Sequence, residues 1–319
     1  MRFINELLEG EQIKSVYLVK EKRTGETKTG KPYETVVLAD KTGTVDGKIW
    51  DVNSPAIYDY DPMDFIEIIA DVKVYNNSLQ LNIRSLRKAE EGTYIPSDYV
   101  ATSKNDVDVM FDELISYINS VENNYLQALL KAFFVEDGAF VKKFKEHSAA
   151  KTVHHSFSGG LVEHTLGVTR MCNFLAGQYR LINRDLLITA AICHDIGKIE
   201  ELSDFPLNDY TDPGQLLGHI VIGSEMIAKK ADEIAGFPKK LENQLKHCIL
   251  SHHGLYEYGS PKLPSTIEAI ALNRADDCDA KMEIMIEALM EKSPASDKDG
   301  WMGYSKFLDT NIRRTNISE

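Results

Sequence analysis

Five separated segments of the chain each carry an acid or an imidazole, in the order His164, His194-Asp195, His219, His252 and Asp276. The intervals between successive segments are 30, 25, 33 and 24 residues. Each is about the length of one helix plus a connection, so every donor can sit on its own helix and face a common interior. Nitrogen and carboxylate oxygen donors without thiolate suit Mn, Fe, Mg or Zn acting as a hydrolytic Lewis acid. The pattern therefore predicts a divalent-metal centre of one or two ions in a phosphohydrolase. Taken singly, a histidine on an apolar stripe is more often a hydrogen-bonded core residue. It is the ordered set at helix-sized intervals that demands a shared partner.

The elements that must position these donors are legible around them. His164 lies in GGLVEHTLGV, where Leu161, Thr165, Val168 and Cys172 fall at helical spacing. His194 and Asp195 close the near-apolar run LLITAAICHD, and Gly197 in HDIGK is expected to stop that helix. Neighbouring residues do not share a helix face, but at a helix end both side chains can converge on one ion. His219 repeats the pattern with Ile222 and Met226, His252 with Leu245, Cys248 and Ile249, and Asp276 with Ala269 and Leu272. Polar groups on apolar stripes need partners, because an unpaired buried carboxylate or imidazole is costly.

At 319 residues, 43% of them hydrophobic and 27% charged, the chain has the make-up of a soluble protein with room for two cores. No stretch has the apolar length of a membrane span, and MRFINELLEGE has no signal-peptide core. Cys172, Cys193, Cys248 and Cys278 sit in helical patterns without a CxxC pair, as buried reduced thiols of a cytoplasmic protein would. The net charge of −13 is unevenly spread: residues 11–90 hold 12 Lys/Arg against 13 Asp/Glu, and residues 91–319 hold 23 against 34. An acidic body behind a near-neutral front suits transient contact with a nucleic acid better than tight capture of duplex.

The first ninety residues read as β structure. IKSVYLVKEK, PYETVVLAD, TVDGKIWD, DFIEIIADVKVY and LQLNIRSL alternate in character and are separated by turn residues. Inward faces are expected from Val45, Gly47 and Ile49, from Ile66, Ile68, Ala70, Val72 and Val74, and from Leu79, Leu81 and Ile83. With a short helix expected around residues 56–60, five strands describe a small OB-type barrel. The outward set Lys48, Trp50, Lys73, Tyr75 and Arg84 combines stacking rings with cations, the chemistry of sequence-tolerant single-strand binding. Residues 20–31, KEKRTGETKTGK, are expected as a loop that tracks phosphates. A polar connector over 89–106 follows. Helices are then expected from beyond Asn105 and near 122–134, 138–148, 160–180, 184–196, 214–235, 239–252 and 265–291. The domain boundaries are thus 1–88, 89–106, 107–292 and a tail, 293–319, docked through Trp301, Tyr304, Phe307 and Leu308.

The words HHSFSGGLVEHTLGV, CHDIGK, YTDPGQLLGHIVIG, ILSHHG and ADDCDAK resemble the HD-domain phosphohydrolase superfamily. Together with GKPYETVVLADKTG and KIWD, over roughly residues 11 to 290, the chain is similar to the bacterial YhaM-type 3′-to-5′ exoribonucleases. The resemblance implies a two-domain β + α protein, an N-terminal OB-type barrel followed by an all-α HD-domain bundle. It carries the ligand roles to His164, His194, Asp195, His219, one of the His252-His253 pair, and Asp276. His252 is preferred because it continues the stripe of Cys248 and Ile249, and Asp276 over Asp277 and Asp279 because it follows Ala275. Lys198 resembles the HDxxK lysine and would offset charge on the reacting phosphate beside Asp195. His154, His155, Tyr210 and Thr211 are expected near the mouth, in contact with substrate. The implied activity is Mn-dependent hydrolysis of single-stranded RNA, with single-stranded DNA as a further substrate, to nucleoside 5′-monophosphates. The competing reading is an HD enzyme for a nucleotide or cyclic dinucleotide, with the barrel in a regulatory role. The sequence leaves the oligomeric state open, a homo-oligomer included.

Overall fold

The computed structural model describes residues 2–27, 29–75, 78–99, 103, 105–150, 157–205, 208–290 and 300–315. They form two units, one in the main from residues up to 102 and one from residue 103 onward.

The alternating runs of the first unit become β1 (Gln12–Glu26), β2 (Pro32–Asp40), β3 (Gly43–Ile49), β4 (Phe65–Tyr75) and β5 (Ser78–Lys88). They close into a barrel in the order β1-β2-β3-β5-β4, with β4 pairing back onto β1. Every pairing is antiparallel except β3 with β5. This is the OB topology. The interior is filled by Val36, Leu38, Ile49, Ile66, Ile68, Leu81 and Leu86. Gly47 is small because a Cβ there would lie 2.8 Å from both Val36 and Ile83.

Three expectations are corrected. The cationic stretch 20–31 is not one loop, since β1 continues to Glu26 with Arg23 opposite Thr35 and Glu26 opposite Pro32. Residues 56–60 form turns and a bridge from Ile57 to Leu86, with no helix. Val74 is exposed, as β4 runs past the packed interior at its last residues. After β5 the chain stays on the barrel: Tyr94 stacks on Phe65 at 4.2 Å between centroids, and Tyr99 meets both rings edge-on.

The second unit contains α1 (Val107–Asn119), α2 (Asn124–Phe134), α3 (Gly138–Glu146), α4 (Gly160–Gln178), α5 (Arg184–Cys193), α6 (Lys198–Glu201), α7 (Asp212–Leu216), α8 (Gly218–Asp232), α9 (Lys239–Ser251) and α10 (Ile267–Met290). The side chains of Asp106, Asn123, Asp137, Asn183 and Thr211 cap the starts of α1, α2, α3, α5 and α7. The single helix expected over 214–235 is two, because Gly218 takes a left-handed φ of +75° between α7 and α8. A near-continuous apolar core runs from α1 to α10, and α5 is buried all round. Beyond α10 the expected irregular tail is a hairpin, β6 (Trp301–Ser305) with β7 (Thr310–Arg313). Its buried side chain is Ile312, whereas Trp301, Tyr304 and Phe307 are exposed. No described helix is long and apolar enough to cross a membrane.

Candidate metal centre

The six expected donors come together at the meeting point of five helices. His164 lies in the second turn of α4, His219 in the first turn of α8, and Asp276 midway along α10. Two helices end at the site: His194 caps the C-terminus of α5 and His252 that of α9. Asp195 and His253 follow directly, so each helix end delivers two consecutive side chains to one place. His164, His194, Asp195 and His252 are buried.

The donors form two groups that share one carboxylate. His164, His194 and Asp276 make the first, and His219, His252 and His253 the second. Asp195 Oδ2 lies 3.4 Å from His164 Nε2 and 3.3 Å from His194 Nε2. Its Oδ1 lies 3.5 Å from His219 Nε2 and 3.7 Å from His252 Nε2. Asp276 Oδ1 completes the first group, 3.2 Å from His164 Nε2. The choice between His252 and His253 is therefore not exclusive, since both imidazoles stand in the second group. Of the competing carboxylates, Asp277 turns outward to Lys281 (2.8 Å). Asp279 accepts from His164 Nδ1 at 2.7 Å.

All five imidazoles present the same face. His194 and His252 donate Nδ1–H to the Ala191 and Ile249 carbonyls at 2.8 and 2.7 Å, and His253 donates to the Tyr258 carbonyl at 2.7 Å. His164 donates to Asp279, and His219 to Glu201 at 2.9 Å. Each Nε2 is thereby turned away from these partners; burial lowers the His164 pKa, but Asp195, Asp276 and Asp279 raise it well above the ordinary imidazole value, a positive charge that a bound cation would replace. His147 makes the contrast: both of its nitrogens face carbonyls, those of Ser148 and Leu202, as in an ordinary core histidine.

The electrostatics agree with a cation site. Asp195 Oδ1, His219 Nε2 and His252 Nε2 are buried without a hydrogen-bond partner, an expensive arrangement that a divalent cation would satisfy. Burial pushes the Asp195 carboxyl up, but Lys198, 2.7 Å from Oδ2, and His194 hold it well below the usual range. Burial and then the neighbouring His253 keep His252 well below the ordinary imidazole value, as a neutral donor. Nitrogen and oxygen donors alone, with every imidazole Nδ1 engaged elsewhere, fit a divalent metal.

Glycines let the supporting backbones touch. Gly197 does not end α5 in a left-handed conformation, for its φ is −65°. A Cβ there would lie 2.1 Å from the His219 carbonyl oxygen and 2.7 Å from the Gly223 nitrogen, so the glycine exists for the contact between the Asp195 turn and α8. Gly214 similarly admits the Glu201 carbonyl, and Gly167 the Asp279 carboxylate.

Glu201 was not singled out from sequence. Its Oε1 accepts from both the backbone N–H and Nδ1–H of His219, each at 2.9 Å. In the EEL run it looks like any surface acid, and only a contact 18 residues away reveals it. Of the expected mouth residues, His154 and His155 lie outside the described residues. Tyr210 is exposed. Thr211 is occupied as the cap of α7: its hydroxyl accepts from Gly214 N–H at 3.0 Å and donates to the Glu200 carbonyl at 2.6 Å.

On the barrel, register brings Lys48, Lys73, Tyr75 and Arg84 to one outer face. Thr35 pairs with Lys48, Lys48 with Asn82 and Asn82 with Asp71, while Lys73 lies opposite Gln80 two residues along. Trp50 is 51% exposed, so it does not plug the barrel. Tyr33, unforeseen, meets Trp50 at 5.4 Å between centroids, with Lys48 Nζ 4.7 Å from its ring. Lys48 also donates to Thr35 Oγ1 at 2.6 Å, and Arg84 is paired with Asp71.

The HD domain family model matches residues 161–281. The 3′-5′ exoribonuclease YhaM of Geobacillus sp. (strain WCH70) is 36% identical over 286 residues, covering 89% of this chain and 87% of its own length. The protein of the same name from Bacillus subtilis (strain 168) is 33% identical over 290 residues, covering 89% and 90%. Among solved structures, the second OB-fold domain of replication protein A from Methanococcus maripaludis aligns along its whole length with 30% of this chain, at 19% identity and a TM-score of 0.22. With nearly full-length identity of this order to the curated relatives, and with the HD model on the helices that carry the histidines, the chain belongs to the YhaM family of 3′-5′ exoribonucleases.

Proposed function

We infer that the chain is a metal-dependent 3′-to-5′ exoribonuclease that converts single-stranded RNA to nucleoside 5′-monophosphates, with Mn²⁺ as the metal. One observation carries this reading: Asp195 turns one carboxylate oxygen to each of two histidine groups, in a chain of exoribonuclease kinship. His164, His194 and Asp276 with Asp195 would hold one ion, and His219, His252 and His253 with Asp195 a second. When bound, such ions supply Lewis acidity to the scissile phosphate and the attacking water.

The chain's own residues set the rest. Lys198 fixes Asp195 Oδ2 and brings positive charge toward a phosphate that gains charge in the transition state. Tyr33 and Trp50 offer ring faces for base stacking, with Lys48 beside them for the backbone; stacking of this kind tolerates DNA as well as RNA. Cys172, Cys193 and Cys248 are free and buried, whereas Cys278, expected to be buried, is exposed; four free thiols support a cytoplasmic setting.

The direct test incubates 5′-labelled single-stranded RNA with the protein and Mn²⁺ or EDTA. A ladder that shortens from the 3′ end only with metal, with mononucleotide release, is the expected result. Intact RNA beside hydrolysis of a small phosphodiester would overturn the reading in favour of a small-ester phosphohydrolase. Replacing both Tyr33 and Trp50 by alanine should raise KM for the RNA about 5- to 150-fold, the equivalent of about 1–3 kcal/mol of stacking. An unchanged KM would remove that face from the substrate path. Glu201→Gln, which keeps the shape but removes the charge that holds His219, should weaken metal binding at the second group about 10- to 100-fold. Calorimetric Mn²⁺ titration would read this as loss of one of two binding events, and two undiminished events would exclude the role.

A further inference from the structure

The helical part of the chain is acidic, so a surface groove there without an acidic lining needs a reason. Such a groove, about 770 Å³, runs beside α9 and the segment after it. Lys239, Lys240, Lys246 and Lys262 line it, and no aspartate or glutamate does. Glu242, itself buried, takes Lys239 at 2.7 Å and stands 4.0 Å from Lys246. Glu242 thus pairs with two of the four ammonium groups, and Asp232 adds negative charge near Lys239.

The groove is held in shape by its own walls. His247 Nε2 accepts from the Ser265 backbone N–H at 2.9 Å, tying the segment after α9 against the helix. Burial and then the nearby Lys262 ammonium lower the pKa of this imidazole, which suits its role as acceptor. Asn243 and Gln244 add neutral amides to the same wall.

The groove also has a direction. Lys239 and Lys246, seven residues apart, share one stripe of α9, and Leu250 follows on it. That interval spans about 10 Å of helix axis. The helix axis leads from the lysines to the C-terminal cap, His252, and both His252 and His253, which follows it, stand in the metal centre.

We propose that this groove holds the sugar-phosphate backbone of single-stranded nucleic acid upstream of the 3′ end at the metal centre. The proposal rests on the exoribonuclease reading above. Lysines and amides contact phosphates and position a strand without reading its bases; the lining holds no arginine, Phe, Tyr or Trp, and its one imidazole, His247, is engaged with Ser265. Four ammonium groups spread over one groove of about 770 Å³ match a polyanion rather than a single small anion.

The test uses the full chain in EDTA, a labelled RNA oligonucleotide and fluorescence anisotropy across a range of salt. Changing Lys240, Lys246 and Lys262 together to glutamine should raise Kd about tenfold and flatten the slope of log affinity against log salt by about 2. The corresponding triple arginine variant, which keeps the charge, should retain wild-type affinity and slope. Glutamine at Lys142 and Lys143, exposed on α3, should leave the slope as it is. An unchanged slope in the glutamine triple would overturn the proposal, as would equal weakening by arginine. Intact RNA when the wild type is given Mn²⁺ would instead sink the exoribonuclease reading, whatever the salt slope shows.

Discussion

Asp195→Ala is expected to lower the rate of RNA hydrolysis by at least about 10³-fold, roughly 4 kcal/mol of barrier. Among the described residues it is the carboxylate that faces both histidine groups, one oxygen to each. Its loss strips a ligand from each proposed ion at once and leaves the largely buried Lys198 ammonium without the partner at 2.7 Å. Asp276→Ala, by comparison, removes a ligand from the first group alone. Element analysis after dialysis separates the two: the Asp195 variant should retain neither ion, the Asp276 variant one. Full activity in Asp195→Ala would show that the hydrolytic centre lies elsewhere.

Gly197→Ala carries the second large effect, from a residue with no side chain to donate. The added methyl would fall 2.1 Å from the His219 carbonyl oxygen and 2.7 Å from the Gly223 nitrogen, both backbone atoms of α8. Neither can yield as a flexible side chain would, so α8 and the Asp195 turn must separate. Overpacking of this kind costs about 1–3 kcal/mol, roughly 2–12 °C in melting temperature for a unit of this size. The functional loss should exceed the stability loss, because the displaced helix carries His219. A sample well below its melting temperature should be fully folded by circular dichroism and yet fall about 100-fold or more in activity, the scale expected when a reacting group is misplaced by about 1 Å. Wild-type activity in the alanine variant would mean that the contact does not position His219.

Much of this was legible in the sequence for a simple reason. His164, His194, His219, His252 and Asp276 each interrupt an apolar helical stripe, and polar residues there announce themselves. The strands were equally plain where alternation met turn residues. What depended on contacts distant in sequence was hidden. Glu201 reads as solvent-facing until α8 is folded against it, and Tyr33 joins Trp50 only once β2 and β3 are in register. Gly197 reads as a helix stop because a glycine needed for close approach and one needed for a left-handed turn look alike in a string. The hairpin after α10 was missed because its five- and four-residue strands give alternation little length to show itself.

The ends of α5 and α9 have a consequence for how fast the centre exchanges its ions. In each, the terminal histidine donates Nδ1–H to a carbonyl three residues back, Ala191 or Ile249. One bond thus closes the last helical turn and fixes which nitrogen is available as a ligand. The rotamer search and tautomer choice that would slow capture by a flexible site are completed when the helices form. Exchange should then be governed by dehydration of the incoming ion and by its access to the centre, while the partial negative charge of two helix C-termini draws cations inward. Stopped-flow loading should therefore show a rate that varies with the water-exchange rate of the metal supplied and shows no slow protein step.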